Sequence, residues 1–91
     1  MKKQAHVIVS GVVQGVGFRF FTRRTALRYN VSGWVKNLAS GEVEIIAEGE
    51  ESRIRMMLQE LRTGNPHASV RNMNVDWQKY SGGFSTFDIR Y

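Results

Sequence analysis

Residues 6–29 read HVIVSGVVQGVGFRFFTRRTALRY, and within this stretch the hydrophobic period changes from two to between three and four. Residues 6–13 form a run rich in β-branched side chains, which predicts a strand. Residues 14–17 contain two glycines and interrupt that pattern. After them the apolar side chains recur at spacings of three and four, which predicts a helix over 19–29 with Asn30 as its left-handed cap. The stretch is therefore interpreted as a strand, a glycine-rich loop and a helix.

The rest of the chain alternates between the same two periods. Two strand-like runs, 31–38 and 42–48, are joined by a short connection that contains glycine, which predicts a hairpin. Glycine and acidic residues at 49–52 begin a second helix, which should end before Gly64. Two further strands are expected, one through Met73, Val75 and Trp77 and one through Phe87, Ile89 and Tyr91. Val70 is out of phase with the fourth strand and indicates a bulge or a late strand start.

The order β-α-β-β-α-β-β is typical of a ferredoxin-like α+β sandwich, in which two helices cover one face of an antiparallel sheet. We expect a sheet order of 4-1-3-2 with the short fifth strand at an edge, and one domain over residues 1–91. In the third strand the apolar residues Val43, Ile45 and Ala47 should face the core. Glu44 and Glu48 alternate with them and should face outward.

Composition limits the classes of function. The chain has no cysteine, which excludes a disulfide scaffold, a thiol nucleophile and a cysteine-ligated metal. No apolar run approaches the ~20 residues that span a bilayer, and no signal peptide is evident, so we expect a cytoplasmic protein without a membrane partner. His6 and His67 lie far apart and indicate no metal site. A net charge of +5 favours an anionic partner, although excess charge also serves solubility alone.

The glycine-rich loop and the helix that follows it have the physical features of an anion site. The first helical turn has unpaired N–H groups at the positive end of the helix dipole. Arg19 places a cation there, which opposes the dipole by ~0.3–1 kcal/mol unless an anion binds between them. The glycine spacing matches neither common nucleotide-binding loop, so the pattern predicts phosphate rather than a nucleotide. A glycine-rich turn with a solvated Arg19 would explain the same residues without a ligand.

Asn37 ends the second predicted strand, which should bring it beside the glycine-rich loop. A carboxamide does not titrate near neutral pH, so Asn37 cannot be a general base. It can hold a water molecule and direct the lone pair of that water. The alternative is that the Asn37 side chain only bonds its own hairpin.

Two segments together resemble the acylphosphatase family: GVVQGVGFR at residues 11–19 and GWVKN at 33–37. The resemblance covers essentially the whole chain. It implies hydrolysis of carboxyl-phosphate anhydrides to a carboxylate and inorganic phosphate, without a metal or cofactor. It also implies that Arg19 binds the phosphoryl group and that Asn37 positions the attacking water. The implied phosphate-binding residues are Gln14, Gly15, Val16, Gly17, Phe18 and Arg19.

The same resemblance implies the partners. The substrate is expected to be a small acyl phosphate, inorganic phosphate or sulfate should bind as a product-like ligand, and the chain should act as a monomer. One departure from the family pattern is Gly64-Asn65-Pro66, since the family usually has glycine followed directly by proline. We expect this loop to lie away from the site.

Two other classes share parts of the pattern. RNA-recognition domains have the β-α-β-β-α-β order, but their third strand carries aromatic residues, whereas this chain has EVEIIAE at 42–48. The basic face of Arg23, Arg24 and Arg28 is interpreted as solvated, and no nucleic acid partner is expected. A phosphate-binding module without turnover remains an alternative. Phe20 falls off the apolar helix face, and it either contacts the acyl group or is exposed without a function.

Overall fold

A computed structural model describes residues 1–91 and has seven elements in the predicted order. The strands are β1 (Lys2–Val12), β2 (Ser32–Asn37), β3 (Val43–Glu50), β4 (Ser69–Lys79) and β5 (Phe87–Arg90). The helices are α1 (Phe18–Arg28) and α2 (Glu51–Thr63). Gly49 and Glu50, which the sequence assigned to the start of the second helix, extend β3 instead. Neither helix combines the length and the apolar composition needed to cross a bilayer.

The five strands form one sheet in the order β4-β1-β3-β2-β5, as the sequence predicted. Three strand pairs are antiparallel, but β5 runs parallel to β2, with Gly33 opposite Phe87. The sheet is therefore mixed rather than wholly antiparallel. The physical reason is the long connection at 80–86, which carries the chain from β4 at one edge to the opposite edge. The chain enters β5 in the direction opposite to β4, which is the direction of β2.

The core lies between one face of this sheet and the two helices. On β3 the side chains of Val43, Ile45 and Ala47 are fully buried, as their alternation predicted. The apolar stripe of α2 is buried against them: Ile54, Met57, Leu58 and Leu61. Each fully buried aliphatic side chain of this size contributes about 1.5–3 kcal/mol relative to exposure. The sheet and helices are therefore held together mainly by apolar burial.

Two local features of the backbone were also predicted from the sequence. Asn30 follows α1 with a φ of 59°, in the left-handed region expected of a helix C-terminal cap. The N–H of Val31 then donates to the carbonyl of Ala26 at 2.9 Å, which ends the helix. Two consecutive residues of β1 lie opposite Asn72 and Val70 of β4, so one residue of β4 is skipped in the pairing. This confirms the expected bulge.

The expectation that Glu48 faces solvent is wrong. The residue is only 1% exposed, because the connection after β4 folds over its side chain. Its carboxylate accepts hydrogen bonds from Ser81 N (2.8 Å), Ser81 Oγ (2.7 Å), Gly82 N (3.1 Å) and Gln4 Nε2 (2.7 Å). Burial raises the pKa of the Glu48 carboxyl, but these hydrogen bonds outweigh burial and the net pKa lies below its usual value. Glu48 therefore anchors the connection that leads to β5.

Replacing Glu48 by glutamine should destabilise the fold by about 2 kcal/mol at pH 7, because an amide N–H₂ would then face donors. The wild-type stabilisation is complete above the usual carboxyl pKa of 4.5 and is lost as the pH falls through the lower folded pKa. The difference between the two proteins should therefore shrink in acid. Urea unfolding at several pH values measures both effects. The control is Asp76→Asn, which neutralises an exposed carboxylate, and equal stabilities of the two variants would contradict the anchor role.

Candidate active site

The loop between β1 and α1 needs glycine at two positions for its backbone conformation. Gly15 and Gly17 each have a φ of +75°, which side chains other than glycine rarely adopt. A Cβ atom at either position would meet nothing within 4 Å, so the requirement comes from the dihedral angle and not from crowding. Gly17 is also the N-cap of α1, and no side chain caps this helix. The helix N-terminus therefore presents only main-chain N–H groups, with no side chain bonded to them.

These main-chain groups are free donors. The N–H groups of Gly15, Val16 and Gly17 donate to no backbone carbonyl of the protein. The next three N–H groups, at 18–20, lie in the first helical turn, where no intrahelical acceptor exists. Phe21 is the first whose N–H finds a carbonyl, that of Gly17 at 3.0 Å. Since this turn contains no acidic residue, its donors and the dipole together favour an anion.

A cavity of about 220 Å³ lies at this helix end. It is lined by Val13, Gly15, Gly17, Phe18, Arg19, Phe20 and Asn37. The structure therefore brings the predicted arginine and asparagine to one small space beside the glycine-rich loop. The side chain of Phe18 is buried in the core, so this residue offers the site its N–H group. No carboxylate lines the cavity, which leaves its electrostatic character neutral to positive.

The Asn37 carboxamide is held in this cavity without a hydrogen-bonding partner. Its Oδ1 atom is buried and accepts no hydrogen bond from the protein. A buried acceptor without a donor costs about 1–3 kcal/mol, so such atoms in folded proteins usually serve a ligand or a water molecule. The alternative in which this side chain bonds its own hairpin does not agree with the structure.

Gln14 makes the hairpin contacts instead. Its Nε2 atom donates to the carbonyls of Leu38 and Glu42, both at 2.8 Å. Both hydrogens of the amide are thereby used, and Gln14 is not among the residues that line the cavity. Its side chain ties the glycine-rich loop to the hairpin that follows Asn37. Gln14 can therefore offer an anion only its backbone N–H. The sequence pattern did not indicate that its side chain is used elsewhere.

Arg19 extends from the first turn of α1 to the end of β5. Its Nη1 atom donates to the carbonyl of Arg90 at 3.3 Å, and its guanidinium lies 4.7 Å from the ring centroid of Tyr91. A cation–π contact at an exposed position contributes about 0.5–1 kcal/mol. No carboxylate pairs with Arg19, so these contacts orient the guanidinium and leave its charge available. Sequence reasoning missed them because it could not specify the neighbours of β5.

The loop at 64–67 contacts the site, contrary to the expectation from the sequence. Asn65 Nδ2 donates to the carbonyl of Val16 at 3.3 Å, and Asn65 Oδ1 accepts a hydrogen bond from His67 N at 2.9 Å. The carbonyl of Val16 and the N–H of Gly17 belong to one trans peptide and point in opposite directions. By holding the carbonyl, Asn65 therefore fixes the direction of the Gly17 N–H.

Comparison with known proteins identifies the family. Residues 5–89 match the family model "Acylphosphatase". The chain is 44% identical over 91 residues to the acylphosphatase of Syntrophus aciditrophicus, covering 100% of this chain and 95% of that protein. Its fold matches the crystal structure of acylphosphatase from Bacillus subtilis with a TM-score of 0.94 and 38% identity, over 100% of both chains.

A second solved structure agrees. The acylphosphatase from Coxiella burnetii matches with a TM-score of 0.91 and 40% identity, over 98% of this chain and 93% of that one. These matches confirm the resemblance carried by the segments at 11–19 and 33–37. The chain therefore belongs to the acylphosphatase family of hydrolases, which act on acyl phosphates.

Proposed function

We propose that this chain hydrolyses small acyl phosphates in the cavity at the N-terminus of α1. The observation that supports this most directly is the meeting of three kinds of group at one cavity. These groups are the free N–H donors of the loop, the unpaired guanidinium of Arg19 and the orphaned Oδ1 of Asn37. The first two complement a phosphoryl dianion, and the third complements a donor, which a water molecule provides.

In the proposed mechanism the phosphoryl group binds first. The N–H groups of the loop and of the first helical turn donate to its oxygens, and Arg19 adds a planar pair of donors. Each charge-assisted hydrogen bond contributes about 1.5–3 kcal/mol. In the transition state of phosphoryl transfer, negative charge is spread over these oxygens. Hydrogen-bond donors that are already in position stabilise that charge and so lower the barrier.

Asn37 then positions the nucleophile. Its Oδ1 accepts a hydrogen bond from a water molecule, whose lone pair can face phosphorus. A bond forms between the water oxygen and phosphorus, and the bond between phosphorus and the bridging oxygen breaks. The bridging oxygen leaves with the carboxylate, and the water proton passes to a phosphoryl oxygen or to solvent. Because Asn37 cannot take that proton, its contribution is positional.

We propose that the reaction uses no metal or cofactor. The cavity offers amide, guanidinium and carboxamide groups, whereas Mg²⁺ and Ca²⁺ are held in proteins mainly through carboxylates. No three His, Asp or Glu side chains come together elsewhere in the chain. Inorganic phosphate or sulfate should occupy the same donors. We also propose that the chain acts as a monomer and, because it contains no cysteine, that it works in a reducing cytoplasmic setting.

Hydrolysis of benzoyl phosphate, followed by the release of inorganic phosphate, tests the proposal. Turnover should persist in excess chelator and should be inhibited competitively by phosphate. Phosphate binding without turnover would indicate the non-catalytic alternative. Salt-sensitive RNA binding without turnover would indicate the RNA-binding alternative, and either result would overturn the proposal.

Removing the Asn65 side chain should weaken phosphate binding indirectly, because that side chain holds the backbone of the glycine-rich loop. In Asn65→Ala the carbonyl of Val16 loses its donor, and the Gly17 N–H is no longer held in one direction. A loss of about 1 kcal/mol corresponds to roughly a fivefold rise in the inhibition constant of phosphate, with a smaller change in kcat. The control is His67→Ala. Asn65 Oδ1 accepts its hydrogen bond from the main-chain N–H of residue 67, so this substitution keeps the contact and should leave the inhibition constant of phosphate unchanged. Equal inhibition constants for the wild type and Asn65→Ala would remove the positioning role.

A further inference from the structure

A second cavity, of about 250 Å³, adjoins the phosphate cavity. Gly17 and Phe20 line both cavities, so the two spaces share a boundary at the start of α1. The second cavity continues between α1 and the loop after α2. Its lining there includes Arg24, Asn65, Pro66 and His67. A group attached to a phosphoryl bound at the helix N-terminus can extend past Phe20 into this space.

The boundary itself is apolar. The Phe20 side chain is 61% exposed, although burial of a phenylalanine is normally favourable. The apolar stripe of α1 does not account for this position, since Phe18 and Phe21 already fill the core. Together with Pro66 across the cavity, Phe20 gives a hydrocarbon segment an apolar surface to contact.

Arg24 gives the second cavity a positive charge. Its guanidinium lies 5.8 Å from the ring centroid of Phe21 and forms no salt bridge, and its attraction to Glu60 acts only over a longer distance. Arg28, one helical turn further along α1, is paired with Glu60. No acidic residue lines the cavity. An apolar boundary followed by an unpaired cation complements a short hydrocarbon segment that ends in an anion.

We infer that this cavity receives the acyl part of the substrate and favours an acyl group that carries a second negative charge, as in the monoacyl phosphate of a dicarboxylic acid. The inference rests on the proposed function, because it starts from the same bound phosphoryl group. The volume of about 250 Å³ is below the ~300–1,000 Å³ of cavities that bind drug-sized ligands. It therefore suits a small acyl group.

Two matched substrates test the inference. Benzoyl phosphate and 4-carboxybenzoyl phosphate differ by one carboxylate at the far end of the ring. The wild type should have the lower KM for the carboxylated substrate. Arg24→Gln should raise that KM by about fivefold, the upper range for an exposed ion pair, and should change the KM for benzoyl phosphate by less than about twofold. The control is Arg23→Gln, which removes the same charge from an exposed neighbour that does not line the cavity.

The outcomes separate the inference from the proposed function. If Arg24→Gln changes both KM values alike, or if Arg23→Gln has the same effect, the preference comes from long-range charge and the subsite is overturned while the hydrolysis stands. A wild type without any preference for the carboxylated substrate also overturns it. If neither substrate is hydrolysed, the proposed function fails and the inference fails with it.

Phe20 provides an independent measurement of the same subsite. Acetyl phosphate has only a methyl group beyond its carbonyl and does not reach past the boundary. Phe20→Ala should therefore raise the KM for benzoyl phosphate severalfold and leave that for acetyl phosphate nearly unchanged. Equal changes for both substrates would show that Phe20 acts on the phosphate cavity and that it does not contact the acyl group. That result would overturn the placement of the acyl part.

Discussion

Replacing Arg19 by lysine is expected to lower kcat/KM for benzoyl phosphate by about 10²- to 10³-fold, although the charge is kept. The guanidinium has two parallel donors whose spacing matches two phosphoryl oxygens, whereas an ammonium is a point charge without that geometry. Removing one preorganised donor to a developing anion typically costs about this factor. The inhibition constant of inorganic phosphate should rise in parallel, because the same donors bind the product. Steady-state kinetics on benzoyl phosphate with phosphate as inhibitor measures both effects.

The neighbouring arginine provides the control for this variant. Arg23 is exposed on the same helix and lines no part of the phosphate cavity, so Arg23→Lys makes the same chemical change outside the site. It should leave kcat/KM within about twofold of the wild type. An Arg19→Lys protein with unchanged kcat/KM would remove Arg19 from the mechanism. Since the Arg19 contacts are to the end of β5, its exchange should change stability by less than about 1 kcal/mol.

Much of this architecture could be predicted because it depends on local pattern. The switch of hydrophobic period around 14–17 locates the loop between β1 and α1, and the two glycines have the positive φ values that such a loop needs. Asn37 ends β2, and the βαβ topology brings that strand end beside the glycine-rich loop. The features that recruit an anion, free N–H groups and a nearby cation, are likewise readable from the order of residues.

The supporting contacts could not be predicted, because each joins residues that are distant in sequence. Asn65 reaches Val16 across 49 positions, and Arg19 reaches Arg90 across 71. Alternation correctly assigned Glu48 to the face of the sheet opposite the helices. It could not show that a later connection covers this face and buries the carboxylate. Periodicity predicts which side a residue faces, whereas the partners of that side depend on how the connections fold.

Gln14 shows the same limit within the site. Its position in the loop matched a phosphate contact, yet the direction of its side chain is set by two hairpin carbonyls. Both carbonyls also accept a backbone N–H group of the hairpin itself, so the Gln14 side chain adds a tie between the loop and the hairpin. The donors that remain for an anion are therefore the main-chain N–H groups of the loop, and not the side chain of Gln14.

Asn37→Ala should lower kcat by about 10²-fold and leave the inhibition constant of phosphate within about twofold. The reason is that Oδ1 positions the attacking water and does not hold the phosphoryl group, and misplacement of a reacting atom by about 1 Å costs this much. The same change removes a buried acceptor that has no partner in the protein, so it should not destabilise the fold and should raise its unfolding free energy by up to about 1 kcal/mol.

The two opposite effects make this variant informative, because a residue with a purely structural role would lose stability along with activity. Urea unfolding and steady-state kinetics on the same preparation measure both. Asn72→Ala changes an exposed asparagine on β4 and should alter neither quantity. If Asn37→Ala mainly raised the inhibition constant of phosphate at unchanged kcat, Asn37 would be a ligand contact. The orphaned Oδ1 would then complement a protonated phosphoryl oxygen in place of a water molecule, and the nucleophile would need another positioning group.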